Sequence, residues 1–315
     1  MYDHHEDEDH DRGLAFDLQT ISNQVMARRR ALAWMGGAGV TALLAGCGGG
    51  SSSTSSSDTT AASTGSTSSS TSSSSAGTSS SSASSSSSAS SSSTASGTCI
   101  ADPTETSGPY PADGTNTASG STSNVLTQSG IVRSDIRSSF ISSTTTAQGV
   151  ALTITITLVN ANSSCAPLAG YAIYLWHCDA SGHYSLYSAP TESYLRGVQV
   201  TDANGQVTFT TIYPACYSGR WPHIHIEVFS SLAAATNGKS AVLTTQLAMP
   251  TSTNSTVYNG SSLYSASIAN YAAISLSSDN VFGDDTSAQI AQMTPAISGS
   301  VAAGYTATNT IGIGL

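Results

Sequence analysis

The sequence has few positive charges and no long apolar run, and each shortage argues against a class of function. Lysine and arginine together number nine in 315 residues. Those that follow the serine-rich tract are Arg133, Arg137, Arg196, Arg220 and Lys239. Nucleic-acid binding needs clustered basic side chains, so no nucleic-acid partner is expected. A transmembrane helix needs about 20 successive apolar residues, and the apolar stretch that ends near Cys47 is too short to span a bilayer comfortably.

Three short motifs are missing as well. No two cysteines have CxxC spacing, which argues against a zinc site built from them. No GxSxG turn is present, which disfavours an esterase or another hydrolase. A cupin-like metal site would need a further histidine downstream of the pair His223 and His225, and no histidine follows His225. Further ligands for a metal would have to come from upstream, where His177, His183 and several tyrosines are available.

The first 97 residues are predicted to be an export signal followed by a spacer. Within residues 1–46, three arginines at 28–30 precede a short apolar stretch, an order that resembles a twin-arginine signal. Residues 44–47 spell LAGC, which resembles a lipobox whose cysteine is lipidated after cleavage. Residues 47–97 are Ser-rich and bury too little apolar surface to fold. We expect an exported protein, attached to a membrane only through a lipid at Cys47 and facing outward, or secreted if cleavage occurs without lipidation.

Residues 98–315 are predicted to form one domain, an antiparallel β-sandwich with long loops. In VALTITITLV, apolar residues at even positions 152–158 alternate with threonines, which is typical of strands with one buried face. Further strands are predicted in YAIYLWHC, GVQVTD, GQVTFTTI, HIHIEVF, AVLTTQLAM and GYTATNTIGIGL. The turn DANG at 202–205 is predicted to join two of them as a hairpin. Helical periodicity is absent except for a possible turn around residues 263–273.

A pair of histidines supplies the first candidate metal ligands. His223 and His225 are two residues apart in a predicted strand, so their imidazoles project from one face, about 6.5–7 Å apart along the backbone. Two such imidazoles can converge on one ion, although an exposed face can also carry histidines by chance. Glu227 continues that face, but it lies about 13 Å along the strand from His223, too far to share the ion.

Two loop tyrosines are the next candidates. Tyr184 follows the DASGH turn, and Tyr217 lies six residues before His223. A trivalent metal lowers the pKa of a phenol far below its usual value of about 10, and two phenolates with two imidazoles favour iron(III) by ligand hardness. Tyrosine is also common in the aromatic corners of β-sandwiches, so spacing alone leaves a packing role open.

Four sequence segments resemble the intradiol ring-cleavage dioxygenases, the family of catechol 1,2-dioxygenase and protocatechuate 3,4-dioxygenase. They are TETSGPYPADG, YLWHCDASGHYSLYS, VTFTTIYPACYSGRWPHIHIEVF and LTTQLAMP, and the resemblance covers about residue 99 to the end. It implies one non-haem Fe(III) per chain. The implied ligands are Tyr184 and His225 in equatorial positions and Tyr217 and His223 in axial positions. Tyr217 and Arg220 would be catalytic, and Arg220, Gln246 and Tyr110 would contact the substrate.

The implied reaction opens the ring of a catechol-type aromatic molecule between its two hydroxylated carbons. It uses O₂ and gives a muconate-type diacid. The alternative is a non-catalytic, surface-anchored β-sandwich that binds carbohydrate or a partner protein. For two of the residues a separate alternative is open: Arg220 as a surface cation, and Gln246 as a solvent-facing strand residue.

Some residues depart from the family pattern. Ala215 and Cys216 stand where the family commonly has glycine and an aromatic residue or proline. After Cys47, four cysteines remain, Cys99, Cys165, Cys178 and Cys216, and one or two disulfides are expected in an oxidising compartment. The pairing is open, and Cys178 with Cys216 is one possibility. The helical dimerisation segment of the cytoplasmic enzymes is missing, so the oligomeric state is open, with a monomer included.

Overall fold

A computed structural model describes residues 99–315. The predicted export signal at 1–46, the lipid anchor at Cys47 and the spacer at 47–97 lie outside the described residues. Within residues 99–315 no helix has the length and apolar character needed to cross a membrane. The described part is a sandwich of two β-sheets with three short α-helices, so the predicted fold class is confirmed.

The first sheet contains the alternating strands. Its members are β1 (Ala151–Asn160), β2 (Ala166–Pro167), β5 (Gln206–Ile212), β8 (Ala296–Ser300) and β9 (Gly304–Ile313). β2 and β5 pair with one edge of β1, and β9 pairs with the other edge and with β8. β1 and β9 run parallel, whereas the remaining strand ladders between residues 99 and 315 are antiparallel. Threonines on the outer face of β1 stay partly exposed while the residues between them are buried, as the alternation predicts.

The second sheet is buried on both faces. Its strands are β3 (Ala172–Trp176), β4 (Arg196–Val200), β6 (His223–Phe229) and β7 (Leu243–Ala248), in the order β4-β3-β6-β7. Every residue of β3 and β6 is buried. One face joins the common hydrophobic core. The segment before the first sheet crosses the other face, where the hydroxyl of Tyr174 donates to the carbonyl of Pro111.

The predicted hairpin at residues 202–205 is wrong. The turn is present, with Gly205 at φ 72° and its N–H bonded to the carbonyl of Asp202. The strands on either side of it belong to different sheets, however, because β4 pairs with β3 and β5 pairs with β1. The turn therefore carries the chain across the sandwich.

The helical content also exceeds the prediction. α1 (Thr251–Gly260), α2 (Ser265–Ala272) and α3 (Ser287–Met293) follow β7. Only α2 coincides with the turn expected around residues 263–273. α1 buries Val257 and Tyr258 in a sequence that is otherwise mostly Ser, Thr and Asn, so its apolar periodicity is too sparse to recognise.

Of the four cysteines within residues 99–315, Cys99 and Cys165 form a disulfide. One disulfide agrees with the one or two that were expected. Cys178 and Cys216 are free and buried, so of the open pairings the one between these two is not formed. The Cys178 thiol faces the carbonyl of Ala215, and the Cys216 thiol faces the carbonyl of Arg220. Burial raises the pKa of the Cys216 thiol to about 12, which keeps it protonated.

Candidate metal centre

Tyr184, Tyr217, His223 and His225 lie together and are called here the four-donor cluster. β6 begins at His223, and both histidines are 2% exposed, so they do not belong to a solvent-facing strand surface. Tyr184 comes from the loop between β3 and β4, and Tyr217 from the loop between β5 and β6. Three separate stretches of chain thus deliver the cluster.

The loop turns have a local cause. Asp179 accepts hydrogen bonds from the N–H groups of Ser181 and His183, at 2.8 and 3.0 Å, and so folds the DASGH turn that precedes Tyr184. Gly182 has φ 89°, and a Cβ there would lie 3.1 Å from the Cβ of Tyr217. A side chain at this position would press on the second tyrosine, so glycine permits both the backbone conformation and the close approach.

The four donor atoms converge around Nε2 of His223. The hydroxyl oxygens of Tyr184 and Tyr217 each lie 3.3 Å from it, and Nε2 of His225 lies 3.2 Å from it. Donors bound side by side to an ion with bonds of about 2.1 Å are about 3 Å apart. The spacing of the cluster is therefore suited to a single metal ion.

The two imidazoles are held in different ways. Nδ1 of His223 donates to the carbonyl of Trp221. With the proton on Nδ1, the lone pair of Nε2 is free to bind a metal, as in many metal-binding histidines. Nδ1 of His225 has no hydrogen-bond partner. The ring of His225 instead stacks on Trp176, with centroids 4.6 Å apart and planes 5° apart. Packing, not a hydrogen bond, fixes its orientation.

Without a metal, the side chains of the four-donor cluster are uncharged. Burial, with help from Arg220, lowers the pKa of His223 to about 3, and burial together with His223 lowers that of His225 well below its usual value. Both imidazoles are therefore neutral, which is the metal-binding form. Burial raises the pKa of Tyr217 to about 12 and that of Tyr184 well above 10. A bound trivalent cation would reverse this effect on the phenols, so the donor set fits iron(III).

Arg220 and Gln246 lie beside the cluster in one buried chain of hydrogen bonds. Arg220 is 2% exposed and Gln246 is 0% exposed, so neither the surface cation nor the solvent-facing glutamine is found. Nη2 of Arg220 donates to Oε1 of Gln246 at 2.7 Å, and Nε2 of Gln246 donates to the carbonyl of Thr106 at 2.8 Å. Gln246 is directly paired with His225 across β6 and β7.

The segment 105–110 covers the cluster. Gly108 has φ 69°, and a Cβ there would lie 3.2 Å from Cε1 of His225. The ring of Tyr110 packs on that of Tyr184, with centroids 4.8 Å apart. The predicted substrate contact Tyr110 is therefore next to one of the four donors. Its role toward a substrate stays a prediction.

The chain is similar to known dioxygenases over much of its described part. Residues 134–252 match the family model described as Dioxygenase. The intradiol ring-cleavage dioxygenase from Tetranychus urticae is 24% identical, with 69% of this chain and 95% of that chain covered and a TM-score of 0.51. A second dioxygenase crystal structure is 25% identical with the same coverage and a TM-score of 0.50. Catechol 1,2-dioxygenase from Pseudomonas arvilla C-1 is 18% identical, with 67% and 61% covered and a TM-score of 0.41. A search of curated proteins gives no match.

The described domain has the intradiol dioxygenase fold. The resemblance inferred from the sequence is thereby confirmed, and the match includes β1 to β7 and all members of the four-donor cluster. Among residues 99–315, no group of three or more His, Cys, Asp or Glu side chains is arranged to hold a metal. The four-donor cluster differs from such groups because half of its donors are tyrosines.

The other candidates of the intradiol-like domain lie elsewhere. His177 is buried, with Nε2 2.7 Å from the hydroxyl of Thr211, and His183 has an exposed side chain near Asp179. Glu227 is buried beside Asp113, and burial and this neighbour raise its pKa well above the usual value. None of these three side chains joins the cluster.

Two supporting side chains escaped the sequence-based reasoning. Asp279 binds Arg220, with Oδ2 3.0 Å from Nε, although 59 residues separate them. Trp176 stacks on His225. The direct pairing of β3 and β6 could have indicated Trp176, because cross-strand neighbours share a face. Nothing in the local sequence marks Asp279.

Proposed function

We propose that this protein is a non-haem iron(III) dioxygenase that opens a catechol-type ring with O₂ between the two hydroxylated carbons to give a muconate-type diacid. The observation that carries the proposal is the convergence of two phenol oxygens and Nε2 of His225 at 3.2–3.3 Å from Nε2 of His223. The family match supports the reaction class. Tyr184, Tyr217, His223 and His225 would hold one iron per chain.

Iron(III), when bound, would supply a Lewis acid that binds the catechol oxygens and draws electron density from the ring. Tyr217 is the donor best placed to act as a base. Its residue is partly exposed, whereas Tyr184 is 1% exposed. Released from the metal, a phenolate at Oη of Tyr217 would be strongly basic, because burial without a bound cation raises the pKa of this phenol to about 12. It can therefore accept a proton from a substrate hydroxyl.

Arg220 would stabilise negative charge on the ring. Its Nη1 is buried and has no hydrogen-bond partner, and an unpaired buried donor is costly. A developing oxyanion beside Nη1 would satisfy it, which is the arrangement that lowers a reaction barrier. Gln246 and Tyr110 would form neighbouring parts of the substrate pocket.

We also propose that the domain works outside the cytoplasm, lipid-anchored through Cys47 or secreted. The disulfide between Cys99 and Cys165 supports this proposal, because disulfides persist mainly in oxidising compartments. The test is the distribution of wild type and Cys47→Ser between membrane and soluble fractions. Release of the variant into the soluble fraction is expected. A cytoplasmic wild-type protein would contradict the proposal.

The proposed chemistry is tested with purified protein, by iron analysis, visible absorption and oxygen uptake with catechol, protocatechuate and hydroxyquinol. We expect about one iron per chain, a phenolate-to-iron absorption band and consumption of at least one catechol. Tyr217→Phe should shift the band, and His225→Ala should lose the iron. His183→Ala, a histidine outside the cluster, is the matched control and should keep both. A colourless, iron-free wild type after reconstitution would favour the non-catalytic binding module.

A further inference from the structure

Three nitrogens of the Arg220 guanidinium have three different environments. Nε is 3.0 Å from Oδ2 of Asp279, and Nη2 is 2.7 Å from Oε1 of Gln246. Nη1 has no partner. Two fixed nitrogens determine the plane of a guanidinium, so the direction of Nη1 is set by Asp279 and Gln246 together. Arg220 also acts electrostatically on all members of the four-donor cluster.

The Asp279 carboxylate is itself fully held. Oδ2 accepts a second hydrogen bond from the N–H of Trp221 at 2.6 Å, and Oδ1 accepts from the N–H groups of Val281 and Phe282 at 2.8 and 3.0 Å. Although burial opposes ionisation, Arg220 and these bonds keep the pKa of Asp279 below its usual value. The group is therefore a buried anion with four donors, a rigid partner for the cation.

A buried ion pair of this kind gives little net stability, because desolvation of both charges offsets their attraction. Breaking it is costly, since one charge is then left alone. What the ion pair does here is fix the orientation of the Arg220 guanidinium. Gln246 alone would leave the guanidinium free to rotate about one hydrogen bond, and Asp279 removes that freedom.

We propose that Asp279 is a positioning residue: it fixes the guanidinium of Arg220 so that Nη1 remains available to the substrate at the four-donor cluster. The inference rests on the proposed function, because the substrate is the one proposed there. Asp279 touches no substrate and no metal donor. It acts through Arg220.

The test is a double-mutant cycle in the full chain with Asp279→Asn and Arg220→Met. Each single variant should keep its iron and its phenolate band. Each should lower kcat by about 10²–10³, while KM rises by about tenfold at most. The combined variant should be no slower than Arg220→Met, because a residue that acts through another adds nothing once the other is gone.

A second readout does not depend on turnover. The affinity for nitrocatechol, followed by absorption titration of the iron-loaded protein, should weaken by about the same factor in both single variants and no further in the combination. If Asp279→Asn fails to fold, the comparison of Arg220→Met with the combined variant remains, because the charges are then removed as a pair. A combined variant slower than Arg220→Met, or an Asp279→Asn protein that loses iron, would overturn the inference.

The matched control is Asp135→Asn. Asp135 forms the same kind of pair, with Nε and Nη2 of Arg137 at 2.9 and 2.7 Å, but at an exposed position. This variant should keep wild-type kcat and nitrocatechol affinity. Wild type that consumes no catechol would count against the proposed function. Active wild type with Asp279→Asn at full kcat and full affinity would count against Asp279 alone.

Discussion

The two sheets are buried to different extents, and their polar residues differ accordingly. In the first sheet, the threonines on the outer face of β1 reach solvent, and Thr155 pairs only with the hydroxyl of Thr208. In the second sheet, every position of β3 and β6 is buried, including His223, His225 and Glu227. A polar side chain in such a sheet must find partners inside the protein. The second sheet is therefore the place where polar groups can be oriented for chemistry.

The two buried arginines of this region show the same contrast at smaller scale. Arg196 donates to the carbonyls of Tyr110, Pro111 and Ser185 and to two hydroxyls, so all its nitrogens are paired. Arg220 keeps Nη1 unpaired. Arg196 binds the segment that contains Tyr110 and Pro111 to the second sheet. Arg220 instead keeps one donor, Nη1, that a substrate could pair with. The complete pairing of Arg196 fits a structural role, and the unpaired Nη1 fits the role proposed for Arg220.

The largest effect is expected where the second sheet supports the metal centre. Trp176→Ala removes a side chain with 0% exposure that lies between the rings of His225 and Tyr174, 4.6 and 4.7 Å away. We expect a loss of about 3–5 kcal/mol in the free energy of unfolding. Iron affinity should fall as well, because His225 loses the surface that orients it. Denaturant unfolding and metal titration measure the two effects.

Thr155→Ala is the matching change on the open face of the first sheet. Its expected cost is no more than about 1 kcal/mol, with iron binding unchanged. Equal losses for the two variants, or intact iron affinity in Trp176→Ala, would contradict the division of roles between the sheets.

A pH-dependent effect concerns a carboxyl that binds the end of the first sheet. Oδ2 of Asp102 accepts from the N–H of Gly312 in β9, and burial raises the pKa of Asp102 from 3.8 to about 7. Between these values the folded protein keeps a proton that the unfolded chain has lost. The stability contributed by this group is therefore full below about pH 4 and is lost as the pH rises to about 7. The slope is at most about 1.4 kcal/mol per pH unit.

Asp102→Asn tests this linkage. Unfolding curves of wild type and variant at intervals from pH 4 to 8 should differ in slope, with the variant less dependent on pH. Activity of the iron-loaded variant should stay at the wild-type level, since Asp102 lies away from the four-donor cluster. Parallel curves would show that Asp102 does not keep its proton in the folded state.

Much of the fold could be predicted from the sequence because strands leave a local pattern. The alternation in β1 and β9 follows directly from one wet and one dry face, and the apolar, β-branched and aromatic residues of β3 identify it although both of its faces are dry. The spacing of His223 and His225 marked them as candidate ligands, whereas Tyr184 and Tyr217 were assigned through the family resemblance. Short strands such as β8, with the sequence AISGS, leave too little pattern.

What could not be predicted depends on contacts between distant parts of the chain. The turn at 202–205 has the residues typical of a hairpin. Its flanking strands nevertheless lie in different sheets, because β4 pairs with β3 and β5 pairs with β1. Asp279 meets Arg220 because a segment after α2 packs against Trp221. The disulfide partner of Cys99 was one of several possibilities. Spatial proximity across many residues has no local signature.

The parallel pairing of β1 with β9 has a consequence for folding during synthesis. Position 152 in β1 is matched with position 305 in β9, so one edge of β1 stays unpaired until a strand about 150 residues further along the chain has been synthesised. Pairings over such distances make folding slow. A chain still being translated would carry β1 with a bare edge, a surface that invites aggregation. We therefore expect the first sheet to be completed only after β9 has been synthesised.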